Sequence, residues 1–319
     1  MSALKEPRRL EFHVVYRCVN RCVFCSEREH MAEFAAHPAR DEEWRAILER
    51  KREQGFDHVT FTGGEPTLYP RIWEMLAHAK SLGYRTFMIS NGTLLSLESF
   101  SRKILPLIDE LCLSMHGFDG PTHDACTGRA GSFARLSAAF DNADRQDRLP
   151  FVFVNCVLTR VNVRWIEAIL EAALRRKSVR HFLLSNLAPE GEGGRLYAKL
   201  SVKTEEFIGR LPAMSERARS RGVDLRVFGV PLCALGAWRE LSNDLYYSPR
   251  VTVARAWLSD GRAGWFEEEA LSPRRERVHV EACERCLDRD RCGGVFRRYV
   301  ARYGAGNLSP RLSEIEAPR

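Results

Sequence analysis

The sequence predicts an α/β fold, in which a partial (β/α)6 barrel of the TIM type is followed by a small α+β module. In residues 10–221, short runs rich in β-branched and aromatic residues alternate with longer amphipathic stretches, the pattern of repeated βα units. Beyond residue 221 the alternation stops, and a β-rich segment precedes three closely spaced cysteines. We therefore expect a barrel core over 1–221, a cysteine-containing module over 222–306 and a flexible tail over 307–319.

Six segments are predicted as strands, and most are followed by glycine or polar residues. They are Leu10–Tyr16, His58–Phe61, Arg85–Ile89, Glu110–Ser114, Phe151–Leu158 and His181–Leu184. The predicted helices are Asp41–Gln54, Arg71–Leu82, Ser96–Leu105, Ser132–Arg145, Val163–Lys177 and Thr204–Arg221. In a barrel of parallel strands, functional groups lie on the loops at the carboxyl ends of the strands. We expect the functional residues of this chain in those loops.

The composition does not indicate a membrane protein, a nucleic-acid-binding protein or a secreted protein. The 319 residues include 45% apolar residues, but no run of ~18 apolar residues that would predict a transmembrane helix. The net charge of +7 comes from scattered arginines without a nucleic-acid motif, so we do not expect nucleic-acid binding. The amino-terminal residues lack the apolar core of a signal peptide. Ten clustered cysteines indicate metal ligands in a reducing cytoplasm rather than a disulfide framework.

A cysteine-rich loop directly follows the first predicted strand. Cys18, Cys22 and Cys25 stand there at a C-x3-C-x2-C spacing. Three thiolates can hold three irons of a [4Fe-4S] cluster, which leaves the fourth iron open to a small molecule. Phe24 would form a wall beside that cluster. A zinc loop is the alternative, although zinc sites usually combine a C-x2-C pair with a second pair or with histidines.

A glycine-rich turn follows the second predicted strand. Gly63 and Gly64 allow the backbone to approach a ligand closely, and Pro66 restricts the residue before it. Carbonyl or carboxylate oxygens beside these glycines, including those of Glu65, can accept hydrogen bonds from an ammonium group. Alone such a turn is a weak signal, but one βα unit after a C-x3-C-x2-C loop it becomes a strong one.

The cysteine spacing, the aromatic residue before the last cysteine and the Gly-Gly-Glu-Pro turn together resemble the radical S-adenosylmethionine (radical SAM) superfamily. The resemblance implies that a [4Fe-4S] cluster on the cysteine loop cleaves SAM reductively to a 5'-deoxyadenosyl radical, which abstracts hydrogen from a substrate. It also implies an electron donor such as flavodoxin or ferredoxin. The residues that it assigns to SAM binding are Phe24, Gly63, Gly64, Glu65, Pro66, Asn91, Ser114, Arg129, Asn155 and Leu187.

A second group of cysteines lies in the carboxyl-terminal module. Cys283, Cys286 and Cys292 form a C-x2-C-x5-C pattern, and Cys233 lies upstream. Four thiolates can hold either a [4Fe-4S] cluster or a structural zinc ion. One cysteine before a predicted hairpin and three after it resemble the twitch or SPASM-type extensions of radical SAM enzymes. That resemblance implies an auxiliary [4Fe-4S] cluster.

The sequence leaves the substrate open. The resemblance implies a peptide or small-molecule substrate and a net oxidation in which the auxiliary cluster takes up an electron. A redox-neutral epimerisation or C–C bond formation is one alternative. The other is a non-enzymatic iron-sulfur or zinc binding protein on a degenerate barrel.

Overall fold

An open sheet of nine strands forms the frame of the protein in the computed structural model, which describes residues 8–312. The strand order is β7-β6-β5-β4-β3-β2-β1-β8-β9, and every neighbouring pair is parallel except β8–β9. The strands are β1 Arg9–Val15, β2 His58–Gly63, β3 Arg85–Ser90, β4 Glu110–Ser114, β5 Phe151–Leu158, β6 Val179–Asn186, β7 Asp224–Phe228, β8 Arg250–Trp257 and β9 Ala263–Ala270. A separate short pair joins β10 Arg277–Val278 to β11 Val295–Phe296. All six predicted strands are therefore present, in the predicted parallel arrangement.

Thirteen α-helices connect the strands and flank the sheet within the described residues. They are α1 Arg28–Phe34, α2 Asp41–Glu53, α3 Ile72–Ser81, α4 Glu98–Ile104, α5 Gly120–Thr127, α6 Ser132–Asp144, α7 Ile166–Leu174, α8 Gly191–Arg195, α9 Tyr197–Leu200, α10 Glu205–Ile208, α11 Leu211–Arg219, α12 Leu232–Leu235 and α13 Arg297–Tyr303. The single helix predicted over 204–221 is wrong, because it is divided into α10 and α11. Pro212 lies in the first turn of α11, where its missing N–H is tolerated, whereas it would interrupt a continuous helix.

Successive side chains of each strand point to opposite faces of the sheet. One face packs into the hydrophobic core beneath the helices, and the other faces the interior of the partial barrel. On β5, Val152, Val154, Cys156 and Leu158 are fully buried and belong to the main hydrophobic core. Asn155, between them, faces the opposite side of the sheet, as strand geometry requires. The same period leaves His13 on the other face of β1 from Phe12 and Val14. Polar side chains therefore collect on the inner face of the partial barrel.

The sheet is larger than the six predicted strands. β7 pairs with β6 in parallel, so the sheet continues past residue 221, where we place the end of the core from sequence. At the other edge, β8 pairs with β1 in parallel and carries the predicted hairpin into the same sheet. The domain limits at 221 and 306 stay a prediction.

Residues 307–312 differ from the flexible tail that the sequence predicts. Leu308 packs into the apolar cluster around Tyr299, and the Leu287 amide donates to the Arg311 carbonyl at 2.9 Å. The Arg311 guanidinium lies 3.0 Å from Asp288. These contacts hold this stretch against the carboxyl-terminal cysteines. The remainder of the predicted tail, 313–319, lies outside the described residues.

Within residues 8–312, no helix combines the length and the apolar character needed to cross a bilayer.

Candidate active site

A cleft of about 350 Å³ lies at the carboxyl ends of the parallel strands. Its walls come from the cysteine loop after β1, from the ends of β2 to β6, and from the residues that follow them. The lining residues that the sequence predicts as functional are Cys18, Cys22, Phe24, Cys25, Gly63, Gly64, Glu65, Asn91, Ser114, Asn155 and Leu187. The chain therefore brings most of the predicted site residues together at the edge of the sheet where barrel enzymes carry their function.

The cysteine loop is held in place by backbone hydrogen bonds to α5. The Arg21 amide donates to the Thr127 carbonyl at 2.8 Å, and the Val23 amide donates to the Cys126 carbonyl at 3.0 Å. The sulfur of Cys18 accepts from the Asn20 amide and from Nδ2 of Asn91, both at 3.4 Å. These contacts fix the loop with its sulfurs toward the cleft.

The electrostatic setting of the three thiols fits a bound metal cluster. Burial raises the pKa of Cys18 to about 11, and it also raises the pKa of Cys22 and of Cys25. Thiols in such a setting ionise only when nearby positive charge offsets the loss of hydration, and iron supplies that charge. The hydrogen bonds to Cys18 are of the kind that iron-bound sulfur accepts. The three residues are therefore suited to hold a [4Fe-4S] cluster.

Glu65 organises the turn beside the cluster loop. Its Oε1 accepts from the Thr67 hydroxyl at 2.6 Å and from the Ser90 hydroxyl at 2.8 Å, while its Oε2 accepts from the Asn91 amide at 2.7 Å. Burial raises the pKa of this carboxyl group, and the surrounding donors oppose that effect. Oε2 takes one described donor, so it retains acceptor capacity for an ammonium group in the cleft.

Gly64 is needed where the turn meets the cysteine loop. A Cβ atom at this position would collide with the carbonyl oxygen of Arg17, so only glycine allows the two backbones to approach. The Gly64 amide donates to the Val15 carbonyl at 2.7 Å, and the Glu65 amide donates to Arg17 at 2.8 Å. These two hydrogen bonds therefore hold the glycine-rich turn against the end of β1.

Polar groups on β5 and β6 form the far wall of the cleft. The Ser185 hydroxyl donates to Oδ1 of Asn155 at 2.7 Å, which leaves the Asn155 amide nitrogen available. Ser185 lies in the stretch Leu183–Leu187, which the resemblance places beside SAM through backbone groups, but its side chain is not among the predicted site residues. Its position one residue before Asn186, at the carboxyl end of a strand, is a signal that would have found it.

His116 lines the cleft and supports the aromatic wall. Its ring meets the Phe24 ring edge-on, with 4.7 Å between the centroids, and its Nδ1 accepts from the Val157 amide at 3.2 Å. Burial lowers the pKa of His116 well below its ordinary value. The imidazole is therefore neutral, and the hydrogen bond at Nδ1 places its proton on Nε2.

Two predicted SAM-binding residues lie outside the lining of the cleft. Nη1 of Arg129 donates to the carbonyl of Val19 at 2.8 Å, so this guanidinium braces the cysteine loop. Pro66 is buried in the short 3-10 turn Pro66–Leu68, where it stiffens the backbone behind Glu65.

The four carboxyl-terminal cysteines meet in a second, smaller cavity. Cys233, Cys283, Cys286 and Cys292 line it together. Burial raises the pKa of Cys233 to about 11 and also raises the pKa of Cys292. The Cys292 sulfur accepts from the Gly294 amide at 3.3 Å. All four residues are described, and no three of their sulfurs lie within 4.8 Å of one another.

Comparison with known proteins agrees with this architecture. The family model described as Radical SAM superfamily matches residues 13–173, about half of the chain. A PqqA peptide cyclase of Xanthomonas campestris pv. campestris (strain B100) is 26% identical over 262 residues, which cover 79% of this chain and 68% of that protein. The corresponding cyclase of Xanthomonas euvesicatoria pv. vesicatoria (strain 85-10) is 25% identical over the same length.

Solved structures share the fold. Streptococcus suis SuiB bound to the precursor peptide SuiA matches with a TM-score of 0.53 and 18% identity, covering 74% of this chain and 52% of SuiB. Native anSMEcpe with bound AdoMet and a Cp18Cys peptide matches with a TM-score of 0.53 and 21% identity, covering 69% of this chain and 63% of that structure. The chain thus spans about half the length of SuiB. The cysteine loop, the glycine-rich turn and the match to the family model together establish that this chain belongs to the radical SAM superfamily.

Proposed function

We propose that this radical SAM enzyme modifies a peptide by abstracting a hydrogen atom from it, in a net oxidation assisted by an auxiliary [4Fe-4S] cluster. Cys18, Cys22 and Cys25 would hold the cluster that binds SAM. When bound, the cluster supplies an electron and SAM supplies the 5'-deoxyadenosyl radical. The protein's part is to position the cofactor and the peptide and to exclude water from the cleft.

The observation that carries the proposal is an apolar cluster between the two cysteine sites. Leu187, at the cleft, packs together with Val295 and Phe296, which follow Cys292 closely in the chain. Phe24 of the cysteine loop packs against the same cluster. The carboxyl-terminal module therefore packs against the wall of the cleft. A second cluster in this module would lie beside the cleft, where it could accept an electron from a substrate radical.

Four thiolates fit either a structural zinc ion or a four-iron cluster. We favour the cluster because the module packs against the wall of the cleft, where an electron acceptor has a use and a structural ion has none. Four thiolates would leave no open iron, which suits electron transfer rather than substrate binding.

The peptide as substrate is supported by the named relatives. The matched curated proteins are cyclases of the PqqA peptide, and the SuiB and anSMEcpe structures each contain a bound peptide. The proposed setting is the cytoplasm, with flavodoxin or ferredoxin as electron donor.

Deuterium transfer tests the peptide proposal. Extract from deuterium-grown cells of the source organism would be separated into a peptide fraction and a small-metabolite fraction, and each incubated with reduced enzyme and SAM. We expect deuterium in 5'-deoxyadenosine from the peptide fraction, and its loss when that fraction is first digested with peptidase. A Cys22→Ala variant should form no 5'-deoxyadenosine. Transfer from the metabolite fraction, or transfer that survives peptidase, would contradict a peptide substrate.

The redox-neutral alternative is separated by the product. An oxidation, including a C–C bond made from two C–H bonds, lowers the mass of the peptide by two hydrogens. An epimerisation, or a C–C bond made by addition to a double bond within the peptide, leaves the mass unchanged. Replacing Cys286 by serine should stop an oxidation that depends on the auxiliary cluster while a single round of SAM cleavage persists.

A further inference from the structure

A group of two histidines and a glutamate meets next to the cysteine loop. His13 lies on the inner face of β1, Glu27 follows the last loop cysteine, and His30 lies on α1. Among residues 8–312, this is the only set of three or more His, Cys, Asp or Glu side chains whose ligand atoms all lie within 4.8 Å of one another. We propose that His13, Glu27 and His30 bind a divalent transition-metal ion, separate from both iron-sulfur sites.

The distances within the group suit ligands arranged around a common centre. Oε2 of Glu27 lies 3.3 Å from Nδ1 of His13 and 3.6 Å from Nδ1 of His30. A tetrahedral ion that binds nitrogen and oxygen at about 2.1 Å separates neighbouring ligand atoms by ~3.4 Å. Hydrogen bonds to a carboxylate are shorter, about 2.7–2.9 Å. Oε2 of Glu27 therefore lies about as far from each histidine nitrogen as two ligands of one ion lie from each other.

The outer nitrogen of His30 has a backbone acceptor, and the outer nitrogen of His13 faces a carboxylate. Nε2 of His30 lies 2.8 Å from the carbonyl oxygen of Arg255 and donates its proton there, so Nδ1 is the nitrogen through which the neutral imidazole would bind an ion. Nε2 of His13 lies 3.5 Å from Oε1 of Glu11. Metal-binding histidines are usually oriented in this way, by a carbonyl or carboxylate on the nitrogen that does not bind the ion.

The geometry at His13 points to the same site. The residue is 8% exposed, and its buried Nδ1 makes no hydrogen bond of normal geometry among the described residues, because Oε2 of Glu27 lies 3.3 Å away. A buried polar nitrogen that lacks a good hydrogen bond is costly, and it is rare in folded proteins. An ion between His13 and Glu27 would satisfy this nitrogen and balance the charge of the carboxylate.

The composition of the site indicates the class of ion. Two imidazoles and one carboxylate favour zinc or ferrous iron over calcium or magnesium, which prefer oxygen ligands. Three protein ligands leave at least one position open. Glu27 lines the cleft beside Cys25, so the open position is next to the space available to a substrate. There the ion would bind a carboxylate or carbonyl oxygen of the substrate; this role rests on the proposed function, whereas metal binding does not.

Cobalt provides the test, because it occupies zinc sites and can be counted apart from iron. The anaerobically reconstituted full chain would be dialysed against graded CoCl2, and bound cobalt and acid-labile sulfide measured in the same sample. We expect one tightly bound cobalt per chain with the full sulfide content. His30→Ala and Glu27→Gln should each weaken cobalt binding at least about tenfold, the lower end of the cost of losing even an outer partner of a ligand.

The matched control is His58→Ala, which removes another histidine that lies beside a carboxylate, at 3.0 Å from Asp57. It should leave cobalt binding unchanged. No bound cobalt in the wild-type chain, or equal binding in the wild-type and His30→Ala chains at equal sulfide content, would overturn the metal site and leave an ion-pair network in its place. Formation of 5'-deoxyadenosine, measured on the same samples, reports on the proposed function separately.

Discussion

At the scale of single residues, the role of Glu65 follows from its hydrogen bonds. Glu65 accepts hydrogen bonds from Thr67, Ser90 and Asn91, and it joins the turn after β2 to the end of β3. The carboxylate is well suited to this task because it offers only acceptors. An amide would present two donors to the same neighbours and would lose the negative charge facing the cleft.

Glu65→Gln should therefore lower the rate of reductive SAM cleavage at subsaturating SAM by about tenfold or more, since each hydrogen bond to a charged group contributes about 1.5–3 kcal/mol. The rate of 5'-deoxyadenosine formation measures this effect, and iron and sulfide contents show whether the cluster is intact. Glu98→Gln is the matched control, because Glu98 is an exposed partner of Arg102 on α4. An unchanged rate in Glu65→Gln with an intact cluster would contradict the role assigned to this residue.

A partly buried histidine far from the cleft should make stability depend on pH. Burial lowers the pKa of His181 on β6 to about 4; the nearby Asp224 opposes this shift and Arg226 adds to it. In the unfolded chain the pKa returns to about 6.5. Between these values the unfolded state binds a proton that the folded state excludes, so stability falls as pH decreases from 6.5 toward 4.

The expected contribution of His181 is a loss of about 1 kcal/mol in the free energy of unfolding between pH 6.5 and 5.5. Urea unfolding of the wild-type chain and of His181→Gln at both pH values isolates this contribution. The variant should lose less stability over the interval than the wild type does. Equal losses in both chains would show that His181 titrates alike in the folded and unfolded states.

Site residues whose partners lie nearby in the chain can be identified from the sequence. The three loop cysteines and Glu65 belong to short motifs, so their chemistry follows from spacing. Arg129 is different, because its acceptor is the carbonyl of Val19, 110 residues away along the chain. No local pattern contains that contact, and the direction of such a side chain is set by tertiary packing.

At the scale of elements, a buried guanidinium adds to the strand pairing that joins the hairpin β8–β9 to the barrel. Arg255 is 5% exposed and donates to the carbonyls of His37 and Pro38, and its Nη2 lies 2.6 Å from Glu43. Its guanidinium also lies over the Trp265 ring, 4.0 Å from the centroid. These contacts bind the hairpin to the segment that leads into α2.

Arg255→Met should destabilise the chain by about 1.5–3 kcal/mol, because it removes the charge-assisted hydrogen bonds of the buried guanidinium, while Arg40 remains paired with the Glu43 carboxylate. The free energy of unfolding in urea, measured anaerobically on the full chain, gives the value. Arg262→Met is the control, since Arg262 lies exposed at the hairpin turn beside Asp260. A loss within ~0.5 kcal/mol of the control would show that the hairpin does not depend on Arg255.

The sequence predicted this hairpin as an element but not its place in the sheet. Strand periodicity and the turn between the strands are local features, whereas the pairing of β8 with β1 joins segments more than 230 residues apart. β7 was missed for a related reason: Asp224–Phe228 is short, with exposed Asp224 at its start, and it gains its strand character by pairing with β6.

At the scale of the whole molecule, the fold places two cysteine sites on either side of one apolar cluster. The barrel presents the first at the carboxyl ends of its strands, and the carboxyl-terminal module places the second behind the apolar cluster that includes Leu187. Residues 307–312 close over that module, although composition alone predicts a flexible tail there. The contact between Arg311 and Asp288 depends on the folded module and has no signature in the sequence.

The central claim is that both sites hold [4Fe-4S] clusters, and acid-labile sulfide tests it most directly because zinc and mononuclear iron add none. The anaerobically reconstituted chain should contain about eight sulfides, and Cys22→Ala and Cys286→Ser should each contain about four. About four sulfides in the wild-type chain, with one zinc ion that Cys286→Ser no longer holds, would contradict the account.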